Sequence, residues 1–256
     1  MNLIYSCVFF NSEYLELLKL LLQSFKLYSN LTNYDYLIIT EERFKNTIQT
    51  LFNNNNINGK IWCLTADSQL ESCYTRLKIF NYPEMNKYDK LLYLDTDILI
   101  IDDLNKITTL NISNKLYCFN EGEKVSSWGH GKLLFKKYKV KINYDIDMFS
   151  TCVMLFLNCD IIKNLFEKVL KHINDMFPNP KLYNLKSSFE QDFIIYHSYI
   201  DNIYDNELIT KFVRNSNMDM VYDGNIITHF CIPCGDTKGK YCRMKSWLEY
   251  VNKIKN

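Results

Sequence analysis

The sequence predicts a three-layer α/β fold, in which a mostly parallel central sheet lies between two layers of helices. Strand-like and helix-like segments alternate over roughly the first 100 residues, a pattern typical of parallel sheets. The length of 256 residues suits a single domain, because α/β domains often run to about 250 residues. Hydrophobic residues make up 47% of the chain and aromatic residues 15%, which supplies a core and excludes global disorder.

Each strand is predicted from a short run rich in apolar and β-branched residues. In chain order, the strands are Leu3–Phe10, Tyr34–Thr40, Lys60–Leu64, Lys90–Ile101 with an acidic interruption, Leu116–Phe119, Phe149–Leu157, a short strand at Val221, and Ile226–Phe230. Each helix is predicted from apolar residues at three- and four-residue spacing. The helices are Tyr14–Tyr28, Glu41–Phe52, Cys73–Phe80, Ile161–Phe177, Ser187–Tyr199 and Tyr241–Ile254. The polar stretch Val125–Asp145 is predicted to be a loop.

The net charge and the distribution of apolar residues limit which partners the protein is expected to have. The net charge of +1 provides no bulk electrostatic attraction to nucleic acid or to an anionic membrane. The first residues lack the basic region of a signal peptide, and no apolar run reaches the roughly 18 residues of a membrane span. We therefore expect a cytoplasmic protein without membrane insertion.

Glycine is scarce, with seven residues in the whole chain. Neither a G-x-x-x-x-G-K-[ST] loop nor a G-x-G-x-x-G loop is present, because Leu134 stands where a third glycine would follow Gly129 and Gly131. If the protein binds a nucleotide, groups other than a glycine-rich loop must neutralise the phosphates.

Two aspartates stand at the end of an apolar strand. Asp95 and Asp97 follow Leu91–Leu94 directly, and in an extended chain residues i and i+2 point to the same side. Ligands bind at the carboxyl ends of strands in open α/β sheets. Two adjacent carboxylates repel unless a cation or a proton lies between them, so a hard divalent cation suits this pair. A turn with helix-capping aspartates is the structural alternative.

The nine cysteines include a second candidate metal site. His229, Cys231, Cys234 and Cys242 have a spacing that zinc could use, but a matched second pair is missing. Reduced thiols are the favoured interpretation.

The segments Tyr74–Lys78 and Tyr88–Asp97 together resemble the basic-residue helix and D-x-D strand of glycosyltransferase family 8, the glycogenin-like retaining sugar transferases. The resemblance extends over roughly residues 1–240 and implies a GT-A fold. It implies a Rossmann-like nucleotide-binding half at residues 1–105 and an acceptor-side half at residues 106–256. It also implies that Arg76 contacts the sugar nucleotide together with Asp95, Thr96 and Asp97.

Further segments carry the same resemblance. Asn11–Tyr14 resembles the first βα unit, which implies that Tyr14 lies against the uracil ring and that the backbone of Cys7 and Val8 lies near the nucleoside. Glu190 and Gln191 resemble a D-Q segment that faces the transferred sugar, although a capping box would explain the same residues. Asp147 begins a segment similar to the strand near the sugar and is a candidate for orienting acceptor or sugar hydroxyls.

The last segments concern the metal and the diphosphate. Ile226–Phe230 resembles the strand that carries a third metal ligand, which implies that His229 joins Asp95 and Asp97 and favours Mn²⁺ over Mg²⁺. Gly235 and Lys238 match a G-x-x-K segment whose lysine binds the diphosphate. The match lies about three residues farther from the histidine than in the family, so Lys240 competes with Lys238.

The resemblance implies a Mn²⁺-dependent retaining transferase that moves a hexose, glucose first, from a UDP-sugar to a hydroxyl group. The acceptor would be a glycan, a protein or a small molecule, with no nucleic acid involved, and a homodimer is an option without named interface residues. Phe212 occupies the position of glycogenin's acceptor tyrosine, so we expect a separate acceptor or another tyrosine. Ser150 and Cys152 replace the family's Asn and Gly, which leaves a catalytically silent sugar-nucleotide-binding protein as one alternative. A metal-dependent nucleotidyltransferase or phosphohydrolase is the other.

Overall fold

The structure is a computed structural model that describes residues 1–125, 132–139, 146–178, 189–216, 222–231 and 236–255. Its strands are β1 (Asn2–Val8), β2 (Tyr34–Thr40), β3 (Gly59–Cys63), β4 (Lys90–Leu94), β5 (Ile98–Ile100), β6 (Leu116–Lys124), β7 (Asp147–Leu157), β8 (Tyr204–Asp205), β9 (Val213–Asn215) and β10 (Ile227–His229). Its helices are α1 (Glu13–Tyr28), α2 (Lys45–Asn54), α3 (Gln69–Tyr74), α4 (Asn105–Thr108), α5 (Lys132–Lys137), α6 (Asp160–Met176), α7 (Phe189–Ile200) and α8 (Thr237–Lys255). A 3₁₀ helix at Thr75–Asn81 continues α3.

Seven strands form the central sheet in the order β3-β2-β1-β4-β7-β6-β8. The neighbours from β3 to β4 are parallel, β7 runs antiparallel to both β4 and β6, and β8 is parallel to β6. The predicted three-layer α/β architecture with a mostly parallel sheet is therefore confirmed. The carboxyl ends of β1, β2, β3 and β4 meet at one edge, which is the edge that can bind a ligand.

The core lies on both faces of this sheet. Leu91 and Tyr93 of β4 contribute to one apolar cluster, while Leu92 and Leu94 contribute to the other. Because successive side chains of a strand point to opposite faces, a strand with apolar residues at every position must be covered on both sides. The uninterrupted apolar run of β4 thus places it at the centre of the sheet.

A second, three-stranded sheet has the order β5-β10-β9. β10 pairs antiparallel with β5 and parallel with β9, so that His229 lies opposite Ile98 on one side and Asn215 on the other. Helix α8 is tied to this sheet by a hydrogen bond of 3.1 Å from Trp247 Nε1 to Thr228 Oγ1. The small sheet brings the last part of the chain to the end of β4.

The structure differs from the predicted elements in several places. The predicted loop Val125–Asp145 contains α5, while residues 126–131 and 140–145 lie outside the described residues, as does Val221. The short strands β8 and β9 were not predicted, because two or three residues carry too little periodicity. Among the described residues, no helix combines the length and the apolar character needed to cross a membrane.

Candidate active site

The turn Asp95–Asp97 is held between the two sheets. The backbone N–H of Asp95 donates to the carbonyl of Cys152 in β7 at 2.9 Å, and the N–H of Phe230 donates to the carbonyl of Asp97 at 2.9 Å. These two bonds clamp the turn from both sides. Both carboxylates consequently line one cleft at the carboxyl edge of the central sheet.

This cleft has a volume of about 470 Å³, within the range of small-molecule sites. Its walls come from the β1–α1 connection, α3, the end of β4 and the start of α8. They are formed by Cys7, Phe9, Phe10, Asn11, Tyr14, Gln69, Ser72, Cys73, Arg76, Tyr93, Asp95, Thr96, Asp97 and Lys240. The walls therefore combine aromatic rings with two carboxylates and two cations.

Arg76 is the buried centre of the polar network. Its Nη1 donates to Asp95 Oδ1 at 3.2 Å and to the carbonyl of Thr151 at 3.1 Å, and its Nη2 donates to Glu190 Oε1. Its Nε donates to the carbonyl of Cys73 at 3.3 Å. Burial alone would lower the pKa of Arg76, but the nearby Glu190, Tyr93 and Asp95 together outweigh it, so the pKa is raised and the guanidinium stays charged.

Glu190 and Gln191 lie in the first turn of α7 and are both buried. The carboxylate of Glu190 is buried, and its Oε2 has no hydrogen-bond partner among the described residues. Burial raises the pKa of Glu190 despite the neighbouring Arg76. Gln191 Oε1 accepts from the N–H and the hydroxyl of Thr151, each at 3.4 Å. The start of α7 is thus joined to β7 and to Arg76.

Asp97 has a different cation as its partner. Lys240 Nζ lies 2.5 Å from Asp97 Oδ2, and His229 Nε2 lies 3.7 Å from Asp97 Oδ1. Burial tends to raise the pKa of Asp97, but His229 and Lys240 outweigh that effect and the pKa is lowered. For Asp95, burial and the nearby Asp97 outweigh Arg76, so its pKa is raised. The two carboxylates are therefore not equivalent.

His229 is oriented by the next strand. Its Nδ1 lies 2.8 Å from Asn215 Oδ1, an acceptor that lies directly opposite His229 in the β9–β10 register. The contact of Nδ1 with Asn215 leaves Nε2, which faces Asp97 Oδ1, as the ring nitrogen that a metal could take. Metal-binding histidines have this arrangement, in which the second nitrogen is hydrogen-bonded to an oxygen.

The donor chemistry of Asp95, Asp97 and His229 fits a divalent cation, since carboxylate oxygens and an imidazole nitrogen suit Mn²⁺. Among the described residues, however, no three His, Cys, Asp or Glu side chains are gathered closely enough to hold a metal as they stand. Both carboxylates are instead engaged by cationic side chains, Asp95 by Arg76 and Asp97 by Lys240. A cation would have to replace one of these contacts.

The chain is similar to known proteins in fold and not in sequence. No family profile matches the chain, and no curated protein sequence matches it. Solved structures do match. The galactosyltransferase LgtC, determined with donor and acceptor sugar analogues, is 14% identical with a TM-score of 0.63, over 99% of this chain and 96% of that chain.

Two further structures agree. Mouse xyloside xylosyltransferase 1 is 10% identical with a TM-score of 0.62, over 90% of this chain and 98% of that chain. The bifunctional glycosyltransferase WbbM is 15% identical with a TM-score of 0.64, over 99% of this chain and 51% of that chain. The chain has the GT-A glycosyltransferase fold. In this fold, the cleft beside Asp95 and Asp97 is the candidate active site.

The structure brings many of the residues predicted from sequence to this GT-A cleft and leaves others outside it. Those that line it are Cys7, Tyr14, Arg76, Asp95, Thr96 and Asp97. Val8 is buried in the core and Lys238 is exposed, whereas Lys240 reaches the cleft. Gly235 lies outside the described residues, and so does Cys234 of the alternative zinc site.

Asp147 lies apart from the cleft-lining residues. It pairs with Lys124, and Asn120 Nδ2 donates to its Oδ2 at 3.2 Å. Lys124 is the first cause of the lowered pKa of this partly exposed carboxyl. Asp147 starts β7, five residues before Cys152, which pairs with Asp95. It therefore belongs to an outer polar cluster of Asn120, Lys124 and Asp147, away from the cleft.

Two residues of the candidate site were not predicted from the sequence: Phe10 in the cleft wall and Asn215 beside His229. Phe10 has a positive φ of 64° and is 43% exposed, and its N–H donates to Glu41 Oε1 at 2.9 Å while Arg43 Nη2 donates to its carbonyl at 2.7 Å. A phenylalanine in the left-handed region is strained and often marks a functional position. Asn215 was missed as well, because its partner His229 becomes its neighbour only through strand pairing.

Proposed function

We propose that this protein is a retaining glycosyltransferase that transfers a sugar from a UDP-sugar to a hydroxyl acceptor. The observation that carries the proposal is the placement of Asp95 and Asp97 at the carboxyl end of central strand β4, opening on the cleft of a GT-A fold. Fold alone does not define an activity, so the argument rests on this site.

The cleft suits a nucleotide better than a purely apolar ligand. Tyr14 and Phe10 are both partly exposed aromatic rings at its wall, and aromatic rings stack on nucleobases. Lys240 provides a mobile positive charge for a diphosphate, a role for which lysine is common. A glycine-rich loop is not needed in this arrangement.

A divalent cation, with Mn²⁺ preferred, would be held by Asp95, Asp97 and His229. When bound, it would supply positive charge against the leaving diphosphate. Arg76 stays protonated and keeps the carboxylates of Asp95 and Glu190 oriented through its two terminal nitrogens. Because these contacts occupy Arg76, we assign it a positioning role as well as a place in the cleft wall.

Glu190 and Gln191 are proposed to face the transferred sugar. The buried, unpartnered Oε2 of Glu190 has an open acceptor position that a sugar hydroxyl would satisfy. Gln191 fixes the neighbouring Thr151. Asp147, in the outer polar cluster, is proposed to orient the acceptor hydroxyl. Retention of configuration follows the resemblance to glycosyltransferase family 8.

Glucose is the first donor sugar to test, by analogy with glycogenin. The acceptor is proposed to be a separate molecule, because Phe212 has no hydroxyl and ends the 3₁₀ helix Thr210–Phe212. The acceptor would be a glycan, a protein or a small molecule.

A catalytically silent sugar-nucleotide-binding protein is the second candidate. Two observations favour it: the departures at Ser150 and Cys152, and the engagement of Asp97 by Lys240. Such a protein would bind UDP-sugars without releasing UDP.

The decisive experiment is a UDP-release assay over several UDP-sugars with Mn²⁺ and simple acceptors. The parent protein should release UDP from at least one donor, Asp97→Ala should lose this activity, and Asp175→Ala, an exposed change near the end of α6, should retain it. Binding of UDP-sugar without release would support the silent protein, and turnover of nucleoside triphosphates instead would support a nucleotidyltransferase. A ladder of hexose additions in the intact mass would contradict the separate acceptor.

A further inference from the structure

Lys240 is the most closely bound cation at the candidate metal position. It lies in the first turn of α8, where its N–H donates to the carbonyl of Asp236 at 2.9 Å, and its Nζ lies 2.5 Å from Asp97 Oδ2. The side chains of Lys240 and Asp97 are only 18% and 13% exposed. The pair is therefore largely shielded from solvent. Electrostatic contacts are stronger in such a shielded position than at the surface.

The direction of Lys240 follows from helix geometry. Successive helical residues are rotated by about 100°, so residues two apart point to nearly opposite sides. Lys238 is exposed, whereas Lys240 faces the cleft. The lysine that matches the family segment by sequence is thus not the one that reaches Asp97.

The other carboxylate oxygen of Asp97, Oδ1, faces a histidine nitrogen that could bind a metal. His229 Nε2 lies 3.7 Å from Asp97 Oδ1, and Asn215 Oδ1 accepts a hydrogen bond from the other ring nitrogen. Asp97 is therefore placed between an ammonium group and an imidazole nitrogen that can bind a metal. A divalent cation and an ammonium group on one carboxylate repel each other strongly at such distances.

We propose that Lys240 is a resident counter-ion of Asp97 that is exchanged for the divalent cation when the donor binds. In the donor-free protein the ammonium group neutralises Asp97 and competes with the metal. When a nucleoside diphosphate enters, the ammonium group moves to the phosphate oxygens and leaves Asp97 to the metal. This inference rests on the proposed function for the identity of the donor.

Lysine has a side chain that is suited to this exchange. Its four-carbon stem carries a compact charge that can reorient around single bonds, whereas arginine binds carboxylates in a fixed planar geometry. Accordingly, the carboxylate held by Arg76 is predicted to stay in place, and the one held by Lys240 is predicted to change partner.

The exchange has a thermodynamic consequence. If Lys240 competes with the metal for Asp97 and is removed by the diphosphate, metal and nucleotide each strengthen the binding of the other. This coupling is reciprocal and is measured as a ratio of dissociation constants. Without Lys240 the metal should bind more tightly to the free protein, and the coupling should become weaker.

The test is a Mn²⁺ titration followed by electron paramagnetic resonance of the free ion, with and without saturating UDP. Lys240→Met, which keeps the stem and removes the charge, should bind Mn²⁺ about tenfold more tightly than the parent without UDP, a difference of about 1.4 kcal/mol. In the presence of Mn²⁺ the same variant should bind UDP more weakly. Lys245→Met, an exposed change on α8, should match the parent in both titrations.

Several outcomes would overturn the exchange. Unchanged or weaker Mn²⁺ binding by Lys240→Met in the absence of UDP contradicts the exchange. Tighter Mn²⁺ binding by Lys238→Met in place of Lys240→Met contradicts it as well. Lys240→Arg separates charge from folding, because it retains the competitor and should bind Mn²⁺ as weakly as the parent. If the parent binds Mn²⁺ and UDP and Lys240→Met binds both with the same affinities, the exchange is wrong but the proposed function is not contradicted. If the parent binds neither, the proposed function fails with it.

Discussion

Arg76 holds two carboxylates at once: its Nη1 lies 3.2 Å from Asp95 Oδ1, and its Nη2 donates to Glu190 Oε1. Asp95 follows β4 and Glu190 lies in the first turn of α7, so one guanidinium links the cleft wall to the buried start of α7. The planar group with several fixed donors is suited to such a double contact.

Loss of this guanidinium is expected to destabilise the protein. Arg76→Met should lower the free energy of unfolding by about 3–5 kcal/mol at pH 7, because it leaves the buried Glu190 without its counter-charge. Urea denaturation measures the change. Glu190→Gln, which removes the charge and keeps the shape, should cost less, and a loss below about 1 kcal/mol for Arg76→Met would contradict the central role of this contact.

Asn215 is expected to act on metal binding through His229. Asn215→Leu removes the oxygen that accepts from Nδ1, so the ring loses its fixed orientation. Mn²⁺ affinity in the presence of UDP should fall about 10- to 100-fold, as is usual when an outer partner of a histidine ligand is lost. Asn46→Leu, an exposed change in α2, is the control. Equal affinities for the two variants would show that Asn215 does not orient the ligand.

Phe10 is expected to contact the nucleobase. The backbone of Phe10 is held in the left-handed region by Glu41 and Arg43, and its ring is left exposed at the cleft. Base stacking contributes about 1–3 kcal/mol, so Phe10→Gly should weaken UDP binding about 5- to 150-fold in calorimetry. The free energy of unfolding should change by about 1 kcal/mol or less, because glycine adopts this φ without strain.

The matched comparison for Phe10 is Tyr250→Ala, which removes an exposed aromatic ring of α8. It should leave UDP binding unchanged. If Phe10→Gly binds UDP as tightly as the parent, the strained conformation serves local folding and not the ligand.

Stability is expected to fall in mild acid because of a histidine pair. His172 Nδ1 lies 2.9 Å from His197 Nε2, and Tyr138 contacts the other nitrogen of His172. Burial, followed by the nearby His172, lowers the pKa of His197 to about 4. Between its ordinary pKa of 6.5 and about 4, the unfolded chain binds a proton that the folded protein does not, so stability is lost as the pH falls through this window.

The expected loss between pH 7 and pH 4.5 is about 1–2 kcal/mol, reduced from the full shift because the ring is partly solvated. Denaturant unfolding at both pH values measures it. His197→Gln should lose less stability over the same range. An equal loss would assign the acid sensitivity to other groups, such as His172, whose pKa is also lowered by burial from its ordinary value of 6.5.

Much of the first half of the chain could be predicted from the sequence. β4 was predicted from its apolar run, and Asp95 and Asp97 were predicted at its carboxyl end, where the structure has them. The segment Cys73–Phe80 was predicted as one helix but forms α3 and a 3₁₀ helix, which turns Arg76 into the protein. Helix type depends on the packing around the turn, and periodicity alone does not reveal it.

The second half was harder to predict. β7 was predicted as a buried strand, but its antiparallel direction was not, because an apolar run has the same pattern in both directions. Lys238 was preferred over Lys240 for the phosphates by sequence match, whereas the structure places Lys240 beside Asp97. The start of α8 decides which lysine faces inward, and that start lies in a stretch with weak helical periodicity.

By itself, the sequence determined the alternation of strands and helices that leads to β4, the paired carboxylates after β4, and the absence of a glycine-rich phosphate loop. These features are local, since backbone periods of two and 3.6 residues are written in neighbouring side chains. Only the tertiary structure decided that Arg76 pairs with Glu190, that Asn215 contacts His229, and that Lys240 pairs with Asp97. Those contacts join residues far apart in the chain, and they exist because strand pairing and helix packing bring separate segments to the same edge of the sheet.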